Sequence, residues 1–188
     1  MQEYTAFEQS SGMKRDDIEA VRDQLLQLRT MYMTINSADT VPEMGVSPFI
    51  RRDGSFYIYA SHLSPHVRDL IDQGEATCML CADERDCQNI WARNRLKFRV
   101  RALEITRDDK KFDELCNDFS LAHGPTMNLI RNFNDFHMIR LTPQKGILVL
   151  GFAKAFIVSG TNFHIIAHIN KAWVRANAIK RTNIMEFQ

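Results

Sequence analysis

A stretch of strict alternation between basic and apolar residues is the strongest constraint on the fold of this chain. Positions 93, 95, 97, 99 and 101 are Arg, Arg, Lys, Arg and Arg, whereas positions 96, 98, 100 and 102 are Leu, Phe, Val and Ala. Because successive side chains of a strand point to opposite faces, this pattern predicts a strand with one buried face and one basic face. Neighbouring like charges repel each other, so the basic face either binds an anionic partner or is simply solvated.

Other segments predict further strands in hairpin order, with helices inserted between them. The strand patterns cover about residues 30–35, 43–51, 56–60, 77–82, 136–141, 146–152 and 154–158. The helical patterns cover about residues 16–28, 65–73, 108–122 and 126–132, with a short helix over about 86–91. Asp53-Gly54 is a hairpin signal, and residues 143–146 predict a turn. Residues 161–168 fit either a helix or a strand.

Six or seven strands in hairpin order favour a mainly β fold, an antiparallel barrel or sandwich with peripheral helices. The length of 188 residues fits one domain, which we place at residues 15–170. Residues 1–14 lack periodicity and predict a mobile N-terminal arm. Residues 171–188 predict a C-terminal tail that could pack on a partner subunit.

The overall charge excludes some classes of partner. The formal net charge is +1, so bulk attraction to nucleic acid or to an acidic membrane is not indicated. The longest apolar runs, at about residues 147–152 and 163–169, are too short to span a bilayer. The first residues, Met1-Gln-Glu-Tyr4, have no basic flank followed by an apolar stretch. We therefore expect a cytoplasmic protein.

The four cysteines are expected to be free thiols. Cys78 and Cys81 form a Cys-x-x-Cys pair, but residues three apart in a strand point to opposite faces. No second Cys/His pair follows at the spacing of a zinc knuckle. We therefore predict no metal site here.

The segment from residue 57 to residue 70 predicts a strand that ends directly before a helix. Such a junction presents unpaired backbone N–H groups and the positive end of the helix dipole, which suit a phosphate. Ser64, His66 and Arg68 could add side-chain donors. The alternative is an ordinary helix start, with Ser64 as its cap and Pro65 at its first position. The hairpin at Asp53-Gly54 would place residues 47–49 beside this junction.

Four separated motifs occur in the order Val46–Phe49, Ser61–Leu70, Trp91–Phe98 and Gly151–Phe156. In their sequence and order they resemble the motifs of the pyridoxamine-phosphate-oxidase-like FMN-binding split-barrel family. Within that family the chain resembles the HugZ/HutZ-type haem-utilisation proteins, over about residues 20–170. The resemblance implies a six-stranded antiparallel split β-barrel with Greek-key elements and flanking helices. It also implies a homodimer with two equivalent clefts at the subunit interface.

The resemblance further implies a set of FMN-binding residues in each cleft. The junction residues Ser61, Ser64, His66 and Arg68 and the strand residues Arg95 and Lys97 would hold the phosphate of FMN. Ser47 and Pro48 would border the isoalloxazine ring. The first functional hypothesis is therefore an FMN-dependent oxidoreductase for a small-molecule substrate, with Asp135, His62 and Tyr59 as candidates for catalysis.

The second hypothesis is a haem-binding or haem-degrading protein, and the third is a non-catalytic flavin-binding stress or sensor protein. The haem-degrading relatives bind haem iron through a histidine near the C-terminus, supported by an aspartate before a barrel strand. Asp135 keeps the aspartate, but the histidine position falls on Trp173, and indole has no lone pair for iron. His168 is the alternative ligand close by in the sequence.

Overall fold

The structure is a computed structural model that describes residues 9–37, 41–87 and 89–177. The strands are β1 (Thr30–Ile35), β2 (Glu43–Arg52), β3 (Ser55–Ser61), β4 (Glu75–Cys81), β5 (Arg95–Ile105), β6 (Phe136–Val149), β7 (Ala155–Ser159) and β8 (His164–His168). The helices are α1 (Arg15–Leu26), α2 (Pro65–Gln73), α3 (Phe112–His123) and α4 (Thr126–Ile130), with 3-10 turns at Glu84–Asp86 and Ile90–Ala92. Residues 171–177 are also helical.

The strands form one antiparallel sheet in the order β3-β2-β1-β4-β5-β6-β7-β8. Because β3 also pairs with β6, strands β1 to β6 close into a barrel that β7 and β8 extend. Strand β4 pairs with β1 instead of with its predecessor β3, which provides the Greek-key element. The predicted mainly β fold, a six-stranded antiparallel split barrel with flanking helices, is confirmed.

Aromatic side chains fill the inside of the barrel. Phe56 stacks on Phe98 at 5.2 Å between ring centroids, and Phe163 meets Phe98 at 4.8 Å. Val67 and Leu70 of α2 are buried in the same cluster, so this helix covers part of the barrel interior. A second cluster lies outside, where α3 packs on Tyr59 and its neighbours. Helix α2 is thereby held directly behind the end of β3.

The predicted turn at residues 143–146 is wrong, because β6 runs unbroken through this segment. Pro143 lies opposite Val100, next to a bulge in β6 at which Gln144 and Lys145 together oppose Arg99 of β5. A Cβ at Gly146 would lie 2.6 Å from the carbonyl oxygen of Lys97, so only glycine allows β5 this close. The Pro and Gly therefore mark a bend within one strand.

Three other local predictions are corrected or decided. The short helix expected over residues 86–91 is two separate 3-10 turns. The basic strand begins at Arg95 and extends to Ile105, whereas Arg93 lies before it and donates to the Ala82 carbonyl. Of the two alternatives for residues 161–168, the strand is correct for His164–His168.

The two terminal segments are described only in part. Residues 1–8 of the predicted arm and residues 178–188 of the predicted tail lie outside the described residues. Within the arm, the Ser10 hydroxyl hydrogen-bonds Nδ1 of His168 at 3.0 Å. No helix in the described ranges is both long enough and apolar enough to cross a membrane.

Candidate functional site

The end of β3 and the start of β6 meet at one point, and Asp135 joins them. Ser61 pairs with Phe136 in the β3–β6 ladder, which brings Asp135 beside the turn into α2. The Ser61 hydroxyl donates to Oδ2 of Asp135 at 2.5 Å, and the backbone N–H of His62 donates to the Asp135 carbonyl at 2.8 Å. The Ser61 hydroxyl oxygen also accepts from the N–H of Leu63 at 3.1 Å. Asp135 thus fixes the conformation of the strand–helix junction.

A chain of three side chains runs across the strands to the same junction. Nδ1 of His137 lies 2.6 Å from Oε1 of Glu104, and Nε2 of His137 lies 2.8 Å from Nδ1 of His62. Because a carboxylate only accepts, His137 must donate from Nδ1. When His137 is neutral, its Nε2 accepts the proton of Nδ1 of His62. Nε2 of His62 then carries a lone pair, and within the described part of the chain no side chain or backbone group bonds to it.

The start of α2 has hydrogen-bond donors that could bind an anion. The N–H groups of Val67 and Arg68 both bond to the Ser64 carbonyl, and Ser64 makes no side-chain capping bond. Pro65 has no N–H, so the Ser64 hydroxyl and the His66 N–H have no acceptor among the described residues. Arg68 donates from Nη1 to the carbonyls of His62 and Leu63, at 3.2 and 3.1 Å, which places its charge beside the same turn. A carboxylate or phosphate suits this set of donors.

His66 connects the junction to β2. Its ring lies against Gly45, where an added Cβ would come within 2.3 Å of Cδ2 and Nε2. Burial lowers the pKa of His66, and Glu43 opposes that shift only in part. Ser47 lies two residues farther along β2 and is buried, and Pro48 pairs with Thr30 at the end of the β1–β2 ladder. Residues 47–49 of β2 were predicted to lie beside the junction. The contact with the junction residue His66 occurs two residues earlier, at Gly45.

Arg95 and Lys97 lie on the outer face of β5. In the β4–β5 ladder Arg95 is opposite Cys81, and Lys97 is opposite Met79. Lys97 is exposed, and Nη1 of Arg95 donates to the Arg93 carbonyl at 2.9 Å. In the described structure no side-chain hydrogen bond links either residue to residues 61–68. Their contribution to the same anion site as the junction stays a prediction.

Tyr59 is held in a structural cluster that the sequence did not reveal. Its hydroxyl donates to the Arg131 carbonyl at 2.9 Å and accepts from Nη2 of Arg107 at 3.2 Å. Burial raises the pKa of Tyr59. Arg107 also donates to the carbonyls of Arg131 and Phe133, so it ties down the segment that leads to Asp135. Arg107, Glu104 and His137 were missed because nothing in their local sequence distinguishes them from ordinary polar strand residues.

His168 already uses both ring nitrogens inside the chain. Nε2 donates to the Ala153 carbonyl at 2.7 Å, so Nδ1 accepts from the Ser10 hydroxyl. The ring is buried and lies 5.2 Å from the ring of Phe156. Binding of iron by His168 would require one of these hydrogen bonds to break. The backbone N–H of Trp173 bonds to the Asn170 side chain, in the helix that follows β8.

The cysteines are not arranged as a metal centre. All four are free, and burial raises the pKa of Cys78 to about 12. Cys78 is buried while Cys81 on the same strand is partly exposed, in keeping with opposite faces. Across residues 9–37, 41–87 and 89–177, no three His, Cys, Asp or Glu side chains are grouped so that they could hold a metal ion.

Comparison with known proteins shows which proteins the chain resembles in sequence and in fold. No protein-family model matches the chain. The chain is 24% identical over 171 residues to heme oxygenase HutZ of Vibrio cholerae, a match that covers 91% of this chain and 96% of HutZ. A crystal structure of Vibrio cholerae HutZ, described there as a heme storage protein, has a TM-score of 0.66 at 25% identity and covers 72% of this chain and 96% of that one.

Two further crystal structures share the fold. Campylobacter jejuni ChuZ has a TM-score of 0.75 at 24% identity, over 86% of this chain and 66% of that one, slightly less than two thirds of its length. A Clostridium acetobutylicum protein related to general stress protein 26, of the pyridoxinephosphate oxidase family, has a TM-score of 0.60 at 11% identity, over 79% and 99% of the two chains.

The closed barrel and these similarities identify the fold as a split β-barrel, which the chain shares with a protein of the pyridoxinephosphate oxidase family. In sequence the chain is similar to HutZ over most of its length, and its fold matches those of HutZ and ChuZ.

Proposed function

We propose that this protein binds haem and degrades it, in a cleft that contains the strand–helix junction at residues 61–68. The proposal depends mainly on the position of Asp135. This residue lies at the junction and forms hydrogen bonds with Ser61 and His62. The similarity to a protein named heme oxygenase, over 91% of the chain, supports it. The haem reading thereby takes precedence over the FMN-dependent oxidoreductase.

The residues of the junction fit the two ends of a haem group. Leu63 is 70% exposed at the turn and offers apolar contact to a porphyrin edge. The guanidinium of Arg68, the Ser64 hydroxyl and the free N–H of His66 suit a propionate carboxylate. Bound haem iron supplies the oxygen chemistry. The chain itself orients the ring, and Asp135 holds an acceptor beside the site.

The test is a titration of the purified protein with haemin, followed through the Soret band. We expect uptake of about one haemin per chain, and loss of the band with release of iron when a reductant and oxygen are added. Asp135→Asn should keep most haem uptake and slow degradation by about 10-fold or more, because it loses the carboxylate that orients the junction. Asp72→Asn, on the exposed side of α2, is the matched control and should degrade haem normally. Absence of stoichiometric uptake would overturn the proposal.

FMN binding is the second candidate, favoured by the unpaired donors at the start of α2 and by the basic face of β5. Arg95→Ala should reduce FMN affinity by roughly 30- to 1,000-fold, since loss of an arginine–phosphate contact costs about 2–4 kcal/mol. Arg101→Ala, farther along the same face, should leave affinity unchanged. Equal FMN retention in wild type and Arg95→Ala would show that this face does not hold the phosphate. A homodimer and a cytoplasmic location also stay predictions.

A further inference from the structure

A chain of hydrogen bonds runs from Glu104 through His137 to His62 and determines the tautomer of His62. The carboxylate of Glu104 holds the proton of His137 on Nδ1, and Nε2 of a neutral His137 holds the proton of His62 on Nδ1. Nε2 of His62 is left as a pure electron-pair donor. A histidine that binds a metal through one nitrogen typically donates its other N–H to a carboxylate, carbonyl or similar acceptor. His62 has this arrangement before any metal is present.

The hydrogen bonds of the other histidines favour His62 by elimination. The chain has six histidines, and all lie in the described ranges. Three of them use both ring nitrogens within the chain: His123, His137 and His168. The ring of His66 lies against Gly45, with Nε2 among the ring atoms nearest to this residue. His164 is exposed on β8, and no hydrogen bond among the described residues fixes its tautomer.

The surroundings of His62 suit an apolar, anionic ligand. The ring is half-buried at the end of β3, and the exposed side chain of Leu63 follows it directly. The guanidinium of Arg68 donates hydrogen bonds to the backbone carbonyls of His62 and Leu63. Arg68 could therefore bind a propionate of haem while Leu63 contacts the apolar edge of the porphyrin ring.

We propose that Nε2 of His62 is the iron ligand for haem in this protein, with His137 and Glu104 as positioning residues that fix its tautomer. The inference rests on the proposed haem function. It assigns the ligand in a chain whose C-terminal segment carries Trp173 at the position expected for histidine. His137 and Glu104 increase the electron donation of His62 through the shared hydrogen bonds.

The test compares haemin complexes of wild type and His62→Ala by absorbance and electron paramagnetic resonance. We expect a histidine-ligated ferric spectrum in the wild type, its loss in His62→Ala, and haemin affinity reduced by about 10-fold or more. His62→Gly should regain the histidine-type spectrum when free imidazole is added, which shows that the variant is folded. His164→Ala is the matched control, because it removes an exposed histidine on a different strand, and its spectrum should match the wild type.

Glu104→Gln tests the positioning role. It should still bind one haemin, but the iron–histidine stretching frequency of the ferrous complex should fall, because an amide polarises His137 less than a carboxylate does. Glu75→Gln, at the exposed start of β4, should leave this frequency unchanged.

The outcomes separate the two proposals. If the wild type takes up no stoichiometric haemin, the proposed function and this inference both fail. If the wild type shows histidine ligation that His62→Ala retains, or binds haemin without histidine ligation, the inference alone is overturned. An unchanged stretching frequency in Glu104→Gln would remove the positioning role.

Discussion

At the scale of single residues, the ring of His66, near the start of α2, lies directly against Gly45 of β2. An added Cβ at position 45 would come within 2.3 Å of two ring atoms of His66. Overlap of this size cannot be absorbed without movement of the ring or of the strand. The small residue on β2 is therefore explained by the imidazole on α2, twenty-one residues later in the chain.

We predict that Gly45→Ala lowers the free energy of unfolding by about 1–3 kcal/mol, because the new methyl group displaces the His66 ring. Urea denaturation measures the loss. In the double variant with His66→Ala the overlap is gone, so its loss should be smaller than the sum of the two single losses. Additive losses would mean that the cost of Gly45→Ala does not arise from overlap with the His66 ring.

The same histidine predicts a dependence of stability on pH. Burial lowers the pKa of His66 in the folded state, whereas in the unfolded chain it is about 6.5. As the pH falls below about 6.5, the unfolded chain therefore binds the proton first, and stability is lost. The melting temperature of the wild type should fall more between about pH 7.5 and 5.5 than that of His66→Asn. Parallel curves for the two proteins would contradict this.

At the scale of elements, Arg107 at the end of β5 connects four parts of the chain. It donates to the carbonyls of Arg131 and Phe133 and to the Tyr59 hydroxyl, and its guanidinium lies 5.1 Å from the ring centroid of Phe112. These contacts hold the segment between α4 and β6, which ends at Asp135. The geometry of the candidate site therefore depends on a residue outside it.

We predict that Arg107→Ala increases amide hydrogen exchange in residues 131–136 and reduces stability by about 1–3 kcal/mol, because several carbonyls lose their donor. Hydrogen exchange followed by mass spectrometry measures the local effect. Arg99→Ala, an exposed arginine on the same strand, is the control and should change neither quantity. Unchanged exchange in residues 131–136 would show that the segment is held by its own packing.

At the scale of the whole molecule, the outer face of the barrel carries an apolar patch formed by Tyr32, Met44 and Val46. Their exposed fractions are 38%, 61% and 54%, and Val46 lies directly opposite Tyr32. Lys97 is exposed nearby, because Met79 pairs with both Tyr32 and Lys97. We expect this face to form the interface of the predicted homodimer, with a total buried area above about 1,200 Å².

Tyr32→Glu combined with Val46→Glu should convert the dimer into a monomer, because two buried carboxylates would repel across the interface. Sedimentation equilibrium at micromolar concentration measures the change. Leu129→Glu, at a 69% exposed position on α4, is the control and should leave the dimer intact. A monomeric wild type would remove the shared-cleft arrangement, and a dimeric double variant would place the interface elsewhere.

Local sequence patterns were sufficient to predict most strands of the barrel and the strand–helix junction of the candidate site. The alternation after Arg95, the Asp53-Gly54 hairpin and the strand–helix junction each follow from neighbours within a few residues. Side-chain period and turn chemistry are local properties, so a sequence determines them alone. The path of β6 through Pro143 was missed, because the pairing with β5 that continues on both sides of the bulge is a contact between residues far apart in the sequence.

The tertiary structure decided which side chains become partners at the site. Glu104 and His137 are 33 residues apart, and His137 and His62 are 75 residues apart. The β5–β6 ladder brings Glu104 beside His137, and closure of the barrel through the β3–β6 ladder brings His137 beside His62. Likewise, only the packing of β8 shows that both nitrogens of His168 are occupied. The sequence by itself determined most of the strands and the junction at the end of β3, because these depend on local backbone chemistry. The tautomer and availability of each histidine depend on sheet register, which is set by contacts far apart in the chain.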